Sequence, residues 1–354
     1  MDGRFVKQLR LIVVAALTCA LLGSTTLSHG QTEPQRPRRA DKQQIPPGPP
    51  PPVEDDIVRV DANLTNILLT AIDKDKRFLT TLNKTDLAVY ENDVRQEIFT
   101  FQRETNLPLT LVILIDVTRS QENTLNAEKA AALAFIDAVM RPTVDQVAVV
   151  SFAEKINIVQ VPTQDRASIR RAVESVKIEF PPEYGPKDSE DPGCDVDPRG
   201  CSAIWDSVYD TLNRVVAPAP VGTRRAIIML TDGEDVHSVV KRDEAADLAI
   251  KDDTTIYAIG IGDRENYSIK DKELRKLSER TGGRAFVPER NEDLSGAFAQ
   301  IQDELRSQYL IAYAPTNGAR DGSYRRIRIE PNNPELKRQK VRLLYRQGYY
   351  AKPN

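Results

Sequence analysis

Leu111-Val112-Ile113-Leu114-Ile115-Asp116-Val117-Thr118-Arg119-Ser120 is the stretch whose reading decides the fold. Five apolar residues in a row present apolar groups on both faces of an extended chain, which is what a strand buried inside a parallel sheet requires. Similar runs recur at 147–152, 226–230 and 256–259, and amphipathic stretches fall around and between them at 127–139, 167–176, 204–215, 244–250 and 272–279. This alternation predicts a Rossmann-like α/β domain over 108–308, built on a doubly wound, mostly parallel sheet. Its ligand site is expected off the carboxyl ends of the strands.

Composition narrows the chemistry. The chain has 354 residues, 49 Lys plus Arg against 52 Asp plus Glu, and a net charge of −3, so nothing in the charge favours nucleic acid. Its only histidines are His29 and His237, and its only cysteines are Cys19, Cys194 and Cys201. His-rich zinc sites are thereby excluded, and any metal must be held by oxygen, the ligand type that hard cations such as Mg²⁺, Ca²⁺ and Mn²⁺ prefer.

Three strand ends or loops supply such oxygens: Asp116-Val117-Thr118-Arg119-Ser120, then Ser202 in the loop leading into the 204–215 helix, then Thr231-Asp232-Gly233-Glu234-Asp235. Together they resemble the metal-ion-dependent adhesion site of the von Willebrand factor A family, whose pattern is D-x-S-x-S, a Thr before a helix, and an Asp in a T-D-G turn. Asp116, Thr118 and Ser120 match the first element, Ser202 stands where the Thr is expected, and Asp232 matches the last. Both departures keep the hydroxyl. Side chains two apart on a loop leaving a strand can converge on one ion, and so compact a cluster suits Mg²⁺, with Ca²⁺ and Mn²⁺ as alternatives. The resemblance implies a protein ligand that donates a carboxylate to the metal.

The amino terminus reads as an export signal over 1–30, with Arg4, Lys7 and Arg10 before an apolar run from Leu11 to Gly23. That run is shorter than the roughly 20 apolar residues of a membrane span, so a membrane role requires the signal to remain uncleaved. Residues 31–56 form a Pro-rich linker centred on Pro46-Pro47-Gly48-Pro49-Pro50-Pro51-Pro52, an extended spacer with nothing to pack. The expected compartment is periplasmic, cell-surface or secreted, where Cys194 and Cys201 are expected to form a disulfide shaping the loop before Ser202. The acidic stretch 183–197 reads as a solvated rim, with a second Ca²⁺ site as the alternative.

The flanks read as strands. Val58 to Leu64 alternates, and further strands are expected at 67–72, 87–90 and 96–102, with a turn at Glu91-Asn92-Asp93, then at 309–313, 324–330 and 340–345. Neither flank, 57–107 or 309–352, buries enough alone, so the two are predicted to share one β-sandwich into which the central domain is inserted. The stretches 82–91, 308–315 and 348–351 resemble the bacterial von Willebrand factor A-related proteins abundant in Acidobacteria.

The functional expectation is a non-enzymatic, exported, divalent-metal-dependent protein-binding module for adhesion or scaffolding. The competing readings are a metal-dependent hydrolase, with His237 or a spare carboxylate as base, and a scaffold part braced by metal. Gly260-Ile261-Gly262 lacks the third glycine of a dinucleotide loop.

Overall fold

The structure, a computed structural model, describes residues 64–103, 107–179, 202–220, 222–262, 269–290 and 293–353. The signal, the linker, residues 58–63, the acidic stretch and both candidate disulfide cysteines lie outside the described residues.

Four strands precede the central domain: β1 (Thr65–Ile72), β2 (Leu87–Glu91), β3 (Val94–Gln96) and β4 (Ile98–Arg103). The β2–β3 turn places Asn92 and Asp93 at φ 46° and 67°, two left-handed residues of the kind a tight hairpin needs. The single strand expected over 96–102 is in fact two strands in different sheets. Gln96 ends β3 with its side-chain amide bonded to Val94 O and Thr316 Oγ1, and the chain crosses to the other sheet at Glu97.

The central domain follows as β5 (Leu109–Asp116), α1 (Leu125–Val139), β6 (Gln146–Phe152), β7 (Ile156–Thr163), α2 (Arg166–Ser175), α3 (Ile204–Thr211), β8 (Arg224–Thr231), α4 (Arg242–Lys251), β9 (Thr254–Gly260), α5 (Asp271–Arg280), β10 (Ala285–Phe286) and α6 (Leu294–Arg306). Its six-stranded sheet runs β10-β9-β8-β5-β6-β7, parallel except where β7 pairs antiparallel with β6. β5 is buried at every residue, and its side chains divide between the two faces. Leu111, Ile113 and Ile115 pack with α1, α2 and α6, whereas Val112 and Leu114 pack with α3, α4 and α5. Truncating such a residue, Ile113→Ala for example, costs about 2–5 kcal/mol. The helix expected over 204–215 ends at Thr211 and continues as a wider π turn, Leu212–Val216, in which Ala217 N donates to Leu212 O at 2.8 Å.

The sequence reading passed over β7, β10 and α6. α6 buries Leu294, Ala297, Phe298, Ile301 and Leu305, a helical stripe at the usual spacing.

After α6 come β11 (Tyr309–Tyr313), β12 (Tyr324–Pro331), α7 (Pro334–Arg338), β13 (Arg342–Leu344) and β14 (Gly348–Tyr350). They join the amino-terminal strands in two four-stranded sheets, β13-β1-β11-β4 and β14-β12-β2-β3. Each sheet takes strands from both flanks. Ile67, Leu69, Ile311 and Tyr313 from one sheet share a core with Val89, Ile327 and Ile329 from the other, so the two form a sandwich.

Arg346 joins the sandwich to the central domain, donating to Asp253 through one terminal nitrogen and to Asn66 O at 2.7 Å through the other. Gly282 lies against the same place with φ +88°, and a Cβ there would sit 2.7 Å from Arg346 N. Only glycine allows that approach.

Candidate metal centre

The strand order reverses at β5, whose neighbours are β6 on one side and β8 on the other. Side chains leaving the carboxyl ends of β5 and β8 therefore open onto the crevice where doubly wound sheets bind ligands. Asp116 ends β5, and Asp232 follows the last residue of β8.

Asp116 Oδ1 accepts from Thr118 N at 3.0 Å and Thr118 Oγ1 at 2.6 Å, and Oδ2 accepts from Thr231 Oγ1 at 2.6 Å. With its proton given to Asp116, the Thr118 hydroxyl keeps lone pairs for other partners, and Ser120 Oγ lies 3.1 Å from it. Gln121 Nε2 steadies the loop from behind, donating to Ser120 Oγ and to Ile261 O, each at 3.3 Å. Thr124 Oγ1 lies 3.1 Å from Gln121 Oε1 and donates its proton to the buried Glu128 at 2.7 Å.

The Asp232 turn is held by its own backbone: Glu234 N donates to Asp232 Oδ1 at 2.9 Å, and Lys270 N donates to Asp232 O at 2.8 Å. Gly262 packs on this turn, where a Cβ would meet that of Asp232 at 3.0 Å. Gly260, which ends β9, and Gly262 thus serve close packing.

Ser202 is bound to the same turn through its carbonyl, which accepts from Val236 N at 2.9 Å and His237 N at 3.1 Å. Its hydroxyl is buried and has no hydrogen-bond partner among the described residues. Two carboxylates clamp the segments together. Asp235 Oδ1 accepts from Ile204 N at 2.8 Å and from the Ser238 hydroxyl, while Asp206 accepts from Val239 N at 3.1 Å and Val240 N at 2.7 Å.

Asp116, Thr118, Ser120, Ser202 and Asp232 are all buried. Burial, and next the charge of Asp232, push the Asp116 carboxyl up to about 7. A carboxyl raised by a neighbouring carboxylate is relieved by a cation between the two. Among the described residues no group of three or more His, Cys, Asp and Glu gathers as a metal cage, so a cation here would have to be held by two carboxylates and hydroxyls. The orphaned Ser202 hydroxyl and the hard oxygen set fit a divalent ion of the magnesium type.

Residues that the sequence reading left without a role also build the centre. Thr231 was visible only as the first letter of a turn motif, and Asp206, Asp235 and Ser238 act through contacts about 30 residues away along the chain. His237, considered as a base, is exposed and contributes its backbone N–H.

Residues 111–191 match the family described as von Willebrand factor type A domain, a span that includes Asp116, Thr118 and Ser120 and stops before Ser202 and Asp232. Among solved structures, the chain is similar to proximal thread matrix protein 1 from the mussel byssus, with 16% identity and a TM-score of 0.46 over 66% of this chain and 49% of that chain. The alignment thus spans about half of the mussel protein. A structure of the same mussel protein described as having a zinc-occupied MIDAS motif aligns at 18% identity and a TM-score of 0.47, over 60% of this chain and 48% of that one. A von Willebrand factor type A structure from Catenulispora acidiphila aligns at 15% identity and a TM-score of 0.45, over 81% of this chain and 72% of that one. No curated protein matches the chain. The central domain has the von Willebrand factor A-type α/β fold, with two additional antiparallel sheets formed by its flanks.

Proposed function

We propose that this chain, carrying a von Willebrand factor A-type domain, is an exported, divalent-metal-dependent protein-binding module without catalytic activity of its own. The observation that carries the reading is the buried hydroxyl of Ser202, without a partner among the described residues and tied to the Asp232 turn, beside an Asp116 carboxyl raised by burial and then by the charge of Asp232. Asp116, Thr118, Ser120, Ser202 and Asp232 would hold the ion, Mg²⁺ first and Ca²⁺ or Mn²⁺ as alternatives. When bound, the ion, whose charge the two carboxylates formally balance, would supply an oxygen-binding position open to a partner's carboxylate.

The rim supports a protein partner. Arg119 is exposed between two of the candidate ligands and makes no ion pair with a described residue, so it can meet the same acidic group. Val236 and Val239, at 40% and 90% exposure, offer apolar contact on the loop that leaves the Asp232 turn. Asp116 orients the Thr118 hydroxyl by accepting its proton, and Gln121 fixes Ser120, so the hydroxyls are set before a partner arrives. The hydrolytic alternative finds no support at His237, whose side chain has no hydrogen bond among the described residues.

The test is capture of protein partners by the full chain with and without chelator. Binding is lost in EDTA, returns with Mg²⁺ and is abolished by Ser120→Ala. Partners held equally well in chelator would leave the metal as a brace, and a hydrolytic turnover that Asp232→Ala removed would make the chain an enzyme.

A further inference from the structure

At the opposite end of the central sheet, where β8 and β9 begin, a cleft of about 470 Å³ opens between the central domain and the β-sandwich. Its volume falls within the range of small-molecule sites, and such sites form preferentially where domains meet. Among the described residues five cationic side chains line it, Arg224, Arg225, Lys251, Arg346 and Lys352, against the carboxylate of Asp253. Asp253 is already engaged by Arg346. Lys251 and Lys352 make no ion pair with a described residue, and the Lys251 ammonium stands 4.8 Å from the centre of the Tyr350 ring. Among the described residues the two terminal nitrogens of Arg225 donate to carbonyls, Asp252 O and Ala219 O, each at 3.0 Å, while its charge also acts on the nearby Asp252 carboxyl. Leu68, Leu107, Ile250 and Leu310 add apolar wall.

We propose that this cleft binds a small organic oxyanion, a phosphate ester or carboxylate with an apolar body. The excess of cations is concentrated by low-dielectric walls, and guanidinium and ammonium groups pair best with phosphate or carboxylate oxygens. The leucine and isoleucine side chains accept the body of the molecule, which separates the expected ligand from a bare inorganic ion. The cleft is closed on one side by the Arg346 bridge to Asp253 and Asn66, so its walls are held at a fixed spacing before binding.

The experiment is calorimetric titration of the full chain with phenyl phosphate and, separately, with phenylsuccinate, at matched ionic strength and in the presence of EDTA. The chelator separates this site from any oxyanion bound through a metal at the far end of the sheet. We expect sub-millimolar binding of at least one probe. The tighter of the two identifies phosphate or carboxylate as the group recognised. The Lys251→Gln, Lys352→Gln double variant, which leaves the Arg346 bridge intact, weakens that binding about tenfold, and Arg225→Gln weakens it to a similar degree. Failure of both probes to bind overturns the proposal, as does binding that is equal in the native chain and the double variant.

Discussion

Asp116 is wholly buried, with both oxygens taken up by the hydroxyls of Thr118 and Thr231, and it still has its carboxyl raised to about 7 from 3.8. A carboxyl raised in the folded state makes that state the better proton binder, so stability falls as pH rises between the two values. In chelator, the melting temperature should therefore decline from about pH 4 to about pH 7, and Asp116→Asn should lessen the decline. Glu128, raised by burial to about 8, and Glu304, raised by burial to about 7, add slopes of the same sign, so some decline remains. Saturating Mg²⁺ should reverse the effect at neutral pH, and a native-like melting profile in Asp116→Asn would contradict the pairing of Asp116 with Asp232. Ser202 gives a sharper contrast. Its hydroxyl has no partner among the described residues, so Ser202→Ala should cost less than about 0.5 kcal/mol of metal-free stability while weakening Mg²⁺ affinity about tenfold. A variant destabilised by more than that, with metal affinity unchanged, would make Ser202 structural. Asp116, Thr118, Ser120 and Asp232 stand out in the sequence as oxygens where apolar runs end, whereas Ser202 is picked out only by the resemblance to the metal-ion-dependent adhesion site. Thr231, Gln121, Thr124 and Glu128 were not legible, because their roles come from contacts that no local spacing encodes.

At the scale of elements, α3 begins on a cap supplied by another loop, since Asp235 accepts from Ile204 N and Ser238 Oγ accepts from Trp205 N at 2.9 Å. Asp235→Ala removes that cap. Chemical denaturation should show a loss of about 1–2 kcal/mol, and Mg²⁺ affinity should fall with it because Ser202 precedes the same helix. In the sandwich, Glu91 ends β2 in a buried position, accepting from the hydroxyls of Tyr313 and Tyr349 at 2.8 Å each and lying 3.8 Å from Arg325. Glu91→Ala leaves the buried Arg325 without this carboxylate, and a loss of about 3–5 kcal/mol is expected in urea unfolding; a loss below about 1 kcal/mol would show that Asp321 alone satisfies Arg325. The continuous runs of β5, β6, β8 and β9 were readable because burial on both faces demands them. The β3–β4 break was not, because Gln96 to Gln102 reads as one extended stretch and only the second sheet splits it.

For the whole molecule, β1 and β4 pair with β11, while β2 pairs with β12, so the chain must return after the central domain before either sheet is complete. Residues 57–107 expressed without 309–352 should be unfolded or aggregated, because β1 would expose both edges. A cooperative melt of that fragment by circular dichroism would show instead that the sandwich is not shared. The insufficiency of each flank foretold this arrangement, whereas the cationic cleft between sandwich and central sheet has no signature in sequence, since its lining comes from segments scattered between Asn66 and Lys352. The central claim remains the oxygen cluster at the ends of β5 and β8. Anomalous diffraction from crystals of the full chain grown with Mn²⁺ tests it most directly. The account predicts a single strong peak among Asp116, Thr118, Ser120, Ser202 and Asp232, lost in Asp232→Ala; a map with no peak there at saturating Mn²⁺ would contradict it.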